Sequence, residues 1–364
     1  MHTDKALSKN FVDGLLNWNK HYNKRKMPWK GEKDPYKIWL SEIILQQTKV
    51  EQGLKYYHRF VKEFPAIHHL AKAPEQQVYK LWEGLGYYSR CNNLIIAARY
   101  VCDELNGIFP ARFEDLLQLK GVGSYTASAI SSFAYNLPYA VLDGNVFRVL
   151  SRIFNVDLPI DTSEGKKFFS QLAQQVLPVN KPAEYNQSIM DFGATICTPV
   201  PKCNICFLNS SCKAFLKQKQ LSLPVKTKKV KVKERWFNYI IIKKGDKYGI
   251  IQRTANDIWQ NLYEFVLVET PGKPSQKTLL NSIRLNFKNP IVFSSVKSQR
   301  LSHQLIHFCF IQVEVQSNKY DSPFIWATRA GLTSYPFPKT LQQFIKNQLV
   351  DNKAIAGRKF AALN

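Results

Sequence analysis

Acidic side chains are scarce in this 364-residue chain, in which 27 Asp and Glu stand against 51 Lys and Arg. The formal net charge is therefore +24, and the pI is near 9.7. A surplus of this size favours a polyanionic partner, and the 13% aromatic content supplies stacking surfaces. Nucleic acid is thus the first candidate partner, and an anionic membrane surface is the competing one.

The chain also lacks a long apolar run. No stretch approaches about eighteen apolar residues, and Met1–Asn10 contains no apolar core of a secretion signal. Seven cysteines, an odd number, fit a reducing compartment better than a disulfide framework. We therefore expect no membrane association and a cytoplasmic protein, associated with the nucleoid if the source is bacterial.

Apolar spacing divides the chain into two regimes and a basic connection. Residues 1–216 have mostly helical spacing, whereas residues 235–364 contain apolar runs around a Lys-Lys-Gly-Asp-Lys turn that predict a hairpin. The latter half is predicted to be a small α+β domain. Residues 217–234 are predicted to form an extended basic linker, which is either a solvated tether or a phosphate-contacting segment.

Four cysteines lie close together in the sequence: Cys197, Cys203, Cys206 and Cys212. Disulfides between such near neighbours would close strained small loops. Four thiolates that converge on one point suit either a tetrahedral zinc ion or an iron–sulfur cube. The cysteines alone leave both metals open.

A glycine-rich turn follows a predicted short helix over residues 113–119. Gly121 and Gly123 would let the backbone turn tightly and approach another chain, and a helix rich in Ala and Ser begins after them. The free N–H groups at that helix start suit a phosphate. The pattern is typical of helix-hairpin-helix binders of the DNA backbone, and a plain turn between two helices is the alternative.

Two carboxylates are candidates for chemistry. Asp143 and Asn145 precede an apolar helical stripe, where either side chain could simply cap the helix. Glu42 lies within an apolar helical run, either on an exposed face paired with Lys49 or partly desolvated. Desolvation raises a carboxyl pKa, and a proton donor needs that rise.

Seven sequence motifs, taken in the order in which they occur along the chain, resemble one enzyme family. They are Met27-Pro28-Trp29, Trp39-Leu40-Ser41-Glu42, Leu45-Gln46-Gln47-Thr48, Gly84-Leu85-Gly86-Tyr87-Tyr88-Ser89-Arg90, Gly121-Val122-Gly123-Ser124-Tyr125-Thr126, Leu142-Asp143-Gly144-Asn145-Val146 and the four cysteines. The succession resembles the adenine DNA glycosylases of the MutY type, within the helix-hairpin-helix superfamily that has a Gly/Pro-rich loop and an essential Asp. The resemblance is close over about residues 7–215 and looser beyond, where the chain resembles a Nudix-like domain.

The resemblance implies a mostly α catalytic domain of two helical lobes, a smaller α+β Nudix-like domain and a 4Fe-4S cluster rather than zinc. The implied substrate is double-stranded DNA in which adenine is mispaired with 8-oxoguanine or guanine, and the implied enzyme is a monomer. The adenine must be flipped out, because its glycosidic bond is unreachable inside the stack. A Nudix hydrolase motif is missing, so we expect no pyrophosphohydrolase activity.

The resemblance also implies residue roles. Glu42 matches the acid that protonates adenine N7, Asp143 the carboxylate that stabilises the sugar cation, and Asn145 and Tyr125 residues that hold the site. The resemblance further implies an adenine pocket formed by Trp29, Leu45, Gln187 and Met190. It places Gln47 and Tyr87 beside the oxidised guanine. Ser302 and His303 match the pair that recognises the lesion.

Relatives of the endonuclease III type, which also cut the strand, carry a lysine nucleophile where this chain has Tyr125. A phenol cannot form the Schiff base that leads to strand cleavage, so a monofunctional glycosylase is expected. The alternatives are a bifunctional pyrimidine glycosylase and lyase, or a non-catalytic iron–sulfur protein that binds DNA.

Three positions depart from the family pattern. The loop between Cys197 and Cys203 is one residue shorter than usual, and Lys120 replaces the usual hairpin proline. Leu301 stands where the family's Phe-Ser-His loop has its aromatic residue.

Overall fold

The computed structural model describes residues 4–227, 232–282, 287–316 and 324–350, and these form two compact units. The first unit contains residues 4–72 and 93–227. The second contains residues 73–92 together with the described residues from 232 to 350. Residues 73–92, which fall within the range of the predicted first domain, belong to the second unit.

Helices dominate the chain up to residue 216. In order they are α1 (Lys5–His21), α2 (Pro35–Leu45), α3 (Val50–Glu63), α4 (Ile67–Lys72), α5 (Glu75–Trp82), α6 (Tyr88–Glu104), α7 (Phe113–Leu116), α8 (Ser124–Tyr135), α9 (Gly144–Phe154), α10 (Ser163–Val176), α11 (Pro182–Thr195) and α12 (Lys213–Leu216).

The core of the first unit packs the N-terminal helix α1 against α9, α10 and α11. Phe11 and Leu15 of α1 are fully buried there, as are Val149 and Leu150 of α9. These α9 residues belong to the apolar stripe that predicts a helix from the sequence. The cysteine segment packs on the same cluster, since Leu208 lies within it. Burial of these stripes against one another is what stabilises short helices of this kind.

The second unit is built on a sheet. Within the described residues, seven strands form it: β1 (Lys233–Lys244), β2 (Lys247–Gln252), β3 (Tyr263–Glu264), β4 (Val266–Thr270), β5 (Lys288–Arg300), β6 (Gln304–Glu314) and β7 (Ile325–Thr328). The order along the sheet is β3-β2-β1-β6-β5, with β4 paired to β1 and β7 paired to β2. Helices α13 (Gln276–Ser282) and α14 (Lys339–Phe344) complete the unit.

Strand β1 is the centre of this sheet. It runs parallel to β6 and antiparallel to β2 and β4. The predicted hairpin is present, with β1 and β2 joined at Gly245, whose φ of 56° suits glycine in a two-residue turn. A register irregularity interrupts the β5–β6 pairing, and these two strands meet at the segment that carries Ser302 and His303.

The described start of the predicted linker is mostly exposed but is attached to the first unit at two points. Leu223 is buried, and the Val225 carbonyl accepts a hydrogen bond from the Ile160 N–H at 3.0 Å. Residues 228–231 of that linker lie outside the described residues, as do residues 351–364 of the predicted second domain. In the described parts of the chain, no helix is both long and apolar enough to cross a membrane.

Candidate functional site

Glu42 is buried near the end of α2, with only 7% of its surface exposed. Burial, reinforced by the negative charge of Asp143, raises the pKa of Glu42 to about 7, while a hydrogen bond with the Tyr125 side chain opposes the rise. The alternative of an exposed Glu42 paired with Lys49 is therefore wrong. At neutral pH this carboxyl is poised between its two protonation states, as a proton donor requires.

Tyr125 connects the two carboxylates. It lies at the start of α8, hydrogen-bonded to Glu42 and close enough to both Glu42 and Asp143 to feel their charges. Burial, with those two charges, raises the pKa of the phenol well above its ordinary value. The phenol therefore keeps its proton and serves as a hydrogen-bond donor.

Asp143 is the N-cap of α9, as one of its two sequence interpretations predicts. This capping role does not exclude a chemical role for the same carboxylate. Its Oδ1 accepts the Val146 N–H at 2.7 Å, and its Oδ2 accepts the Asn145 side-chain N–H at 2.7 Å. Burial raises the pKa of Asp143, whereas these hydrogen bonds and the Arg148 charge oppose the rise. Desolvation is the largest influence on both carboxyls, but several hydrogen-bond donors and a cation oppose it at Asp143, whereas a single hydrogen bond opposes it at Glu42.

Arg148 is a residue of the site that the sequence interpretation missed. Its Nη2 donates to Asn145 Oδ1 at 2.8 Å and to the Gly193 carbonyl at 2.7 Å, and its Nε donates to the Cys197 carbonyl at 2.8 Å. A continuous hydrogen-bonded path therefore runs from Asp143 through Asn145 and Arg148 to the first cysteine. The sequence signal for Arg148 is its position about one helical turn after Asn145 on α9.

The four cysteines of the cluster segment line one cavity, together with Arg152 and apolar side chains that include Phe192 and Leu208. Burial, followed by the proximity of the other three thiols, raises the pKa of Cys206 to about 12, and the Leu208 N–H donates to its sulfur at 3.4 Å. Among the described residues, no group of three or more His, Cys, Asp or Glu is arranged to hold a metal ion. The fit of a cofactor therefore rests on the donor chemistry, which is four soft sulfur ligands around one space.

Arg152 donates hydrogen bonds to the shortened loop between Cys197 and Cys203. Its guanidinium, 2% exposed, donates to the carbonyls of Thr198 at 2.6 Å and Pro199 at 2.9 Å, and its Nε donates to the Leu223 carbonyl at 3.1 Å. These bonds satisfy carbonyls that a loop of this kind would otherwise leave unpaired.

Two of the four predicted adenine-pocket residues line a common cleft. Trp29 and Gln187 both face it, and the Trp29 ring also packs edge-on against Tyr57 at 5.3 Å. Leu45 and Met190 are not among the residues that line this cleft. Met190 packs against the core of the first unit, and Leu45 lies over Gly53.

Asp191 organises the surroundings of this cleft. Its carboxylate is fully buried and accepts hydrogen bonds from Asn23 at 2.8 Å, Arg25 at 2.8 Å, Lys30 at 3.0 Å and Gln187 at 3.1 Å. It thereby ties the loop that carries Trp29 to α11, which carries Gln187. A buried carboxylate is tolerated because cations and N–H donors surround it.

The glycine hairpin begins earlier than its sequence predicts, since α7 ends at Leu116 rather than at residue 119. Turn hydrogen bonds, such as Val122 N–H to the Leu119 carbonyl, take over from there. Gly121 has a φ of 81°, and an added Cβ would meet Asn93 at 2.8 Å, whereas a Cβ on Gly123 would meet open space. The hairpin therefore needs glycine at 121 and leaves room for another chain at Gly123.

The two residues predicted beside the oxidised guanine share an unusual backbone conformation. Gln47 of the first unit has a φ of 54° and Tyr87 of the second unit a φ of 49°, in the left-handed region that non-glycine residues rarely occupy. Both side chains are exposed. Strain of this kind concentrates at functional positions.

Ser302 and His303 are exposed at the connection between β5 and β6 in the second unit. The Ser302 hydroxyl forms a hydrogen bond with the Tyr87 hydroxyl within that unit. The structure therefore brings Ser302, a predicted lesion reader, into direct contact with Tyr87, a residue predicted to lie beside the oxidised guanine.

Two family models match the chain. The model of the HhH-GPD superfamily base excision DNA repair protein matches residues 40–175, and that of the NUDIX domain matches residues 238–347. These matches confirm the predicted fold class, a helical glycosylase domain followed by a Nudix-like domain.

Relatives match over most of the chain. The adenine DNA glycosylase of Buchnera aphidicola subsp. Schizaphis graminum is 33% identical over 344 residues, which cover 92% of this chain and 98% of that protein. The homologue from Buchnera aphidicola subsp. Baizongia pistaciae is 37% identical, over 70% of this chain and 73% of its own length. Among solved structures, a thermostable thymine-DNA glycosylase is similar with a TM-score of 0.55 and 30% identity, over 58% of this chain and 98% of its own.

The thymine-DNA glycosylase matches only part of this chain, whereas the relatives that also extend through the C-terminal half are adenine DNA glycosylases. The resemblance seen in the ordered motifs is thus confirmed by identity across both domains. The chain belongs to the adenine DNA glycosylase family.

Proposed function

We propose that this protein is a monofunctional DNA glycosylase that excises adenine mispaired with 8-oxoguanine or guanine in double-stranded DNA. One observation carries the proposal. Glu42 is a buried carboxyl with a pKa of about 7, hydrogen-bonded to Tyr125 and adjacent to Asp143. A protein that only binds DNA has no use for two carboxylates facing a polyanion.

The two carboxyls divide the chemistry. Adenine leaves slowly as an anion, so a proton delivered from Glu42 to adenine N7 makes it a better leaving group. The negative charge of Asp143 then stabilises the positive charge that develops on the sugar. Paired carboxylates act in the same way in glycoside hydrolysis. Asn145 and Arg148 orient Asp143, and Tyr125 orients Glu42.

Tyr125 supports a reaction that ends at base removal. A lyase needs an amine that forms a Schiff base with the sugar, and Tyr125 offers a phenol that burial keeps protonated. The family relatives are adenine glycosylases, which disfavours the bifunctional pyrimidine alternative.

The substrate proposal is tested by single-turnover excision from matched duplexes that contain adenine opposite 8-oxoguanine, guanine or thymine. We expect excision opposite 8-oxoguanine and guanine, and none opposite thymine. Excision from the ordinary adenine–thymine pair at a comparable rate would overturn the mispair specificity.

We further propose that Cys197, Cys203, Cys206 and Cys212 hold a 4Fe-4S cluster. Such a cluster would cross-link four points of the segment that Arg148 and Arg152 contact. We expect a brown protein with about four irons per chain, as a cube with four thiolate ligands requires.

Cys206→Ser should lose that iron, whereas Cys102→Ser, outside the cluster segment, should keep it. Metal analysis and visible absorbance of both variants check the assignment. One zinc and no iron in the wild-type protein would refute it.

Ser302 and His303 are proposed to read the base opposite adenine. Replacing both with Ala should reduce the preference for 8-oxoguanine over guanine by about 1–3 kcal/mol, the range for loss of a direct base contact. Excision opposite guanine serves as the internal control. A folded double variant with an unchanged preference would remove this pair from lesion recognition.

A further inference from the structure

The segment of residues 73–92 joins helices of the glycosylase half in sequence, yet it packs with the strands of the second unit. Its helix α5 carries Tyr79, which is 1% exposed. The Asn261 side chain donates to the Tyr79 hydroxyl at 2.8 Å and to Asn92 Oδ1 at 3.2 Å, and the Tyr79 hydroxyl donates to Asn92 Oδ1 at 3.2 Å. Two side chains of this segment and one from residue 261 thus close one hydrogen-bonded triangle, here called the Asn261 triangle.

Asn261 is suited to this task by its backbone. Its φ of 69° lies in the left-handed region, which asparagine tolerates better than most residues do. The Arg253 carbonyl accepts the backbone N–H of Asn261 at 2.7 Å, which holds the backbone of this residue beside the end of β2. The triangle therefore anchors α5 on a rigid point of the second unit.

Two more bonds hold α5 and the loop after it. The Glu83 carboxylate accepts the Phe337 N–H at 2.9 Å, and Lys80 donates to the Tyr335 carbonyl at 3.1 Å. Lys80 and Glu83 also pair with each other at 2.8 Å. The end of α5 is thus tied to the segment that precedes α14.

The loop after α5 presents Tyr87. Trp82 Nε1 and Arg90 Nη2 both donate to the Gly86 carbonyl, at 3.0 and 3.2 Å, and the Arg90 guanidinium lies over the Tyr87 ring at 5.4 Å. The Tyr87 hydroxyl is hydrogen-bonded to Ser302. A shift of α5 would therefore move Tyr87 relative to Ser302.

Ser302, the partner of Tyr87 in this hydrogen bond, lies in a loop that is attached to the sheet. The Leu301 N–H donates to the Gln304 carbonyl at 2.7 Å, and the Lys233 N–H donates to the His303 carbonyl at 2.9 Å. Arg235 Nη1 donates to Gln304 Oε1 at 3.1 Å. The Ser302 loop is thus fixed to β1, and the position of Tyr87 is set by the attachment of α5.

We propose that Asn261 is a positioning residue for discrimination of the base opposite adenine. Through Tyr79 and Asn92 it holds α5 so that Tyr87 and Ser302 act as one recognition unit. Asn261 itself touches no DNA in this scheme. The proposal rests on the proposed function, in which Tyr87 and Ser302 meet the oxidised guanine.

The test uses the full-length protein and two variants that weaken the Asn261 triangle differently. Asn261→Gly removes the amide and tolerates the left-handed backbone, and Tyr79→Phe removes only the hydroxyl. Asn106→Gly is the matched control, since Asn106 is an exposed asparagine with a φ of 53° in the first unit. The readout is the ratio of single-turnover excision rates opposite 8-oxoguanine and opposite guanine.

We expect both triangle variants to lower this ratio by about three- to tenfold, the effect of one or two lost hydrogen bonds, and the control to leave it unchanged. Adding Asn261→Gly to the Ser302→Ala, His303→Ala double variant should lower the ratio no further, because the triangle acts through that loop. A role in stability alone would lower both rates together and leave the ratio intact.

The outcomes separate the two claims. If the wild-type protein excises no adenine, or shows no preference for 8-oxoguanine, the proposed function fails. If the wild-type protein shows the preference and both triangle variants keep it, the inference about Asn261 is overturned. Should Asn261→Gly fail to fold, Tyr79→Phe decides the matter alone, because it removes a single oxygen atom.

Discussion

Glu42→Gln is expected to lower the single-turnover rate of adenine excision by about 10²–10⁴-fold, the usual contribution of a positioned general acid. Glutamine keeps the size of the side chain and a hydrogen-bonding partner for Tyr125, but it cannot donate a proton to adenine. The missing interaction is formed mainly in the transition state, so DNA affinity should change little.

The measurement pairs single-turnover excision with a binding titration at fixed salt, because phosphate contacts make affinity depend on salt. Glu164→Gln is the control, since Glu164 is an exposed carboxylate at the start of α10 in the same unit. Excision by Glu42→Gln at a near wild-type rate would show that the acid is misassigned.

The pKa of Glu42 adds a pH signature to this prediction. The protonated carboxyl is the active form, and its pKa is about 7. Excision should therefore fall by up to about tenfold per pH unit above about pH 7. The residual excision activity of Glu42→Gln should not show this fall above about pH 7.

The raised pKa of Glu42 also has a consequence for stability. The pKa of Glu42 is raised in the folded protein from an ordinary value of 4.5, so folding costs free energy once the carboxyl ionises. The contribution of Glu42 to the free energy of unfolding should therefore decline as the pH rises from about 4.5 to 7. Glutamine removes this cost, and thermal unfolding at pH 8 should occur at a higher temperature in Glu42→Gln.

Asp143→Asn is expected to lower excision by at least about 10²–10³-fold, because a preorganised charge that opposes the sugar cation is lost. Asparagine is the informative replacement, since Asp143 is also the N-cap of α9 and asparagine caps helices about as well as aspartate. Alanine would confound the result with a loss of about 0.5–2 kcal/mol in helix stability.

A second capping aspartate provides the control for Asp143. Asp34 caps α2 by accepting the Tyr36 N–H at 2.9 Å, so Asp34→Asn makes the same chemical change at the start of another helix. We expect Asp34→Asn to retain excision and both variants to unfold at similar temperatures. Equal losses of activity in the two variants would assign the effect of Asp143 to capping.

Features with a local sequence signal were predictable. The apolar stripe of α9 and the alternating runs around Gly245 predict their helix and hairpin, since periodicity records which face is buried. The family motifs also predict the pairing of Glu42 with Asp143. The pKa of Glu42 is raised chiefly by burial, which the apolar run around this residue is consistent with, whereas the Tyr125 hydrogen bond opposes the rise.

Features that depend on distant contacts left no such signal. Asp191 and Arg25 are separated by 166 positions, and Tyr87 and Ser302 by 215. The residues around each position do not indicate which distant residue it contacts, so spacing cannot reveal these pairs. The packing of residues 73–92 with the second unit went unpredicted for the same reason, because α5 has an ordinary amphipathic pattern.

The most direct test of the account follows the products formed from a duplex with adenine opposite 8-oxoguanine. Wild-type protein should release free adenine, and strand breaks should appear in equal amount only after alkali. Borohydride should trap no covalent complex, because Tyr125 is not an amine. Release of no adenine would contradict the assignment of Glu42 and Asp143, and breaks without alkali or a strong borohydride adduct would contradict the monofunctional reaction.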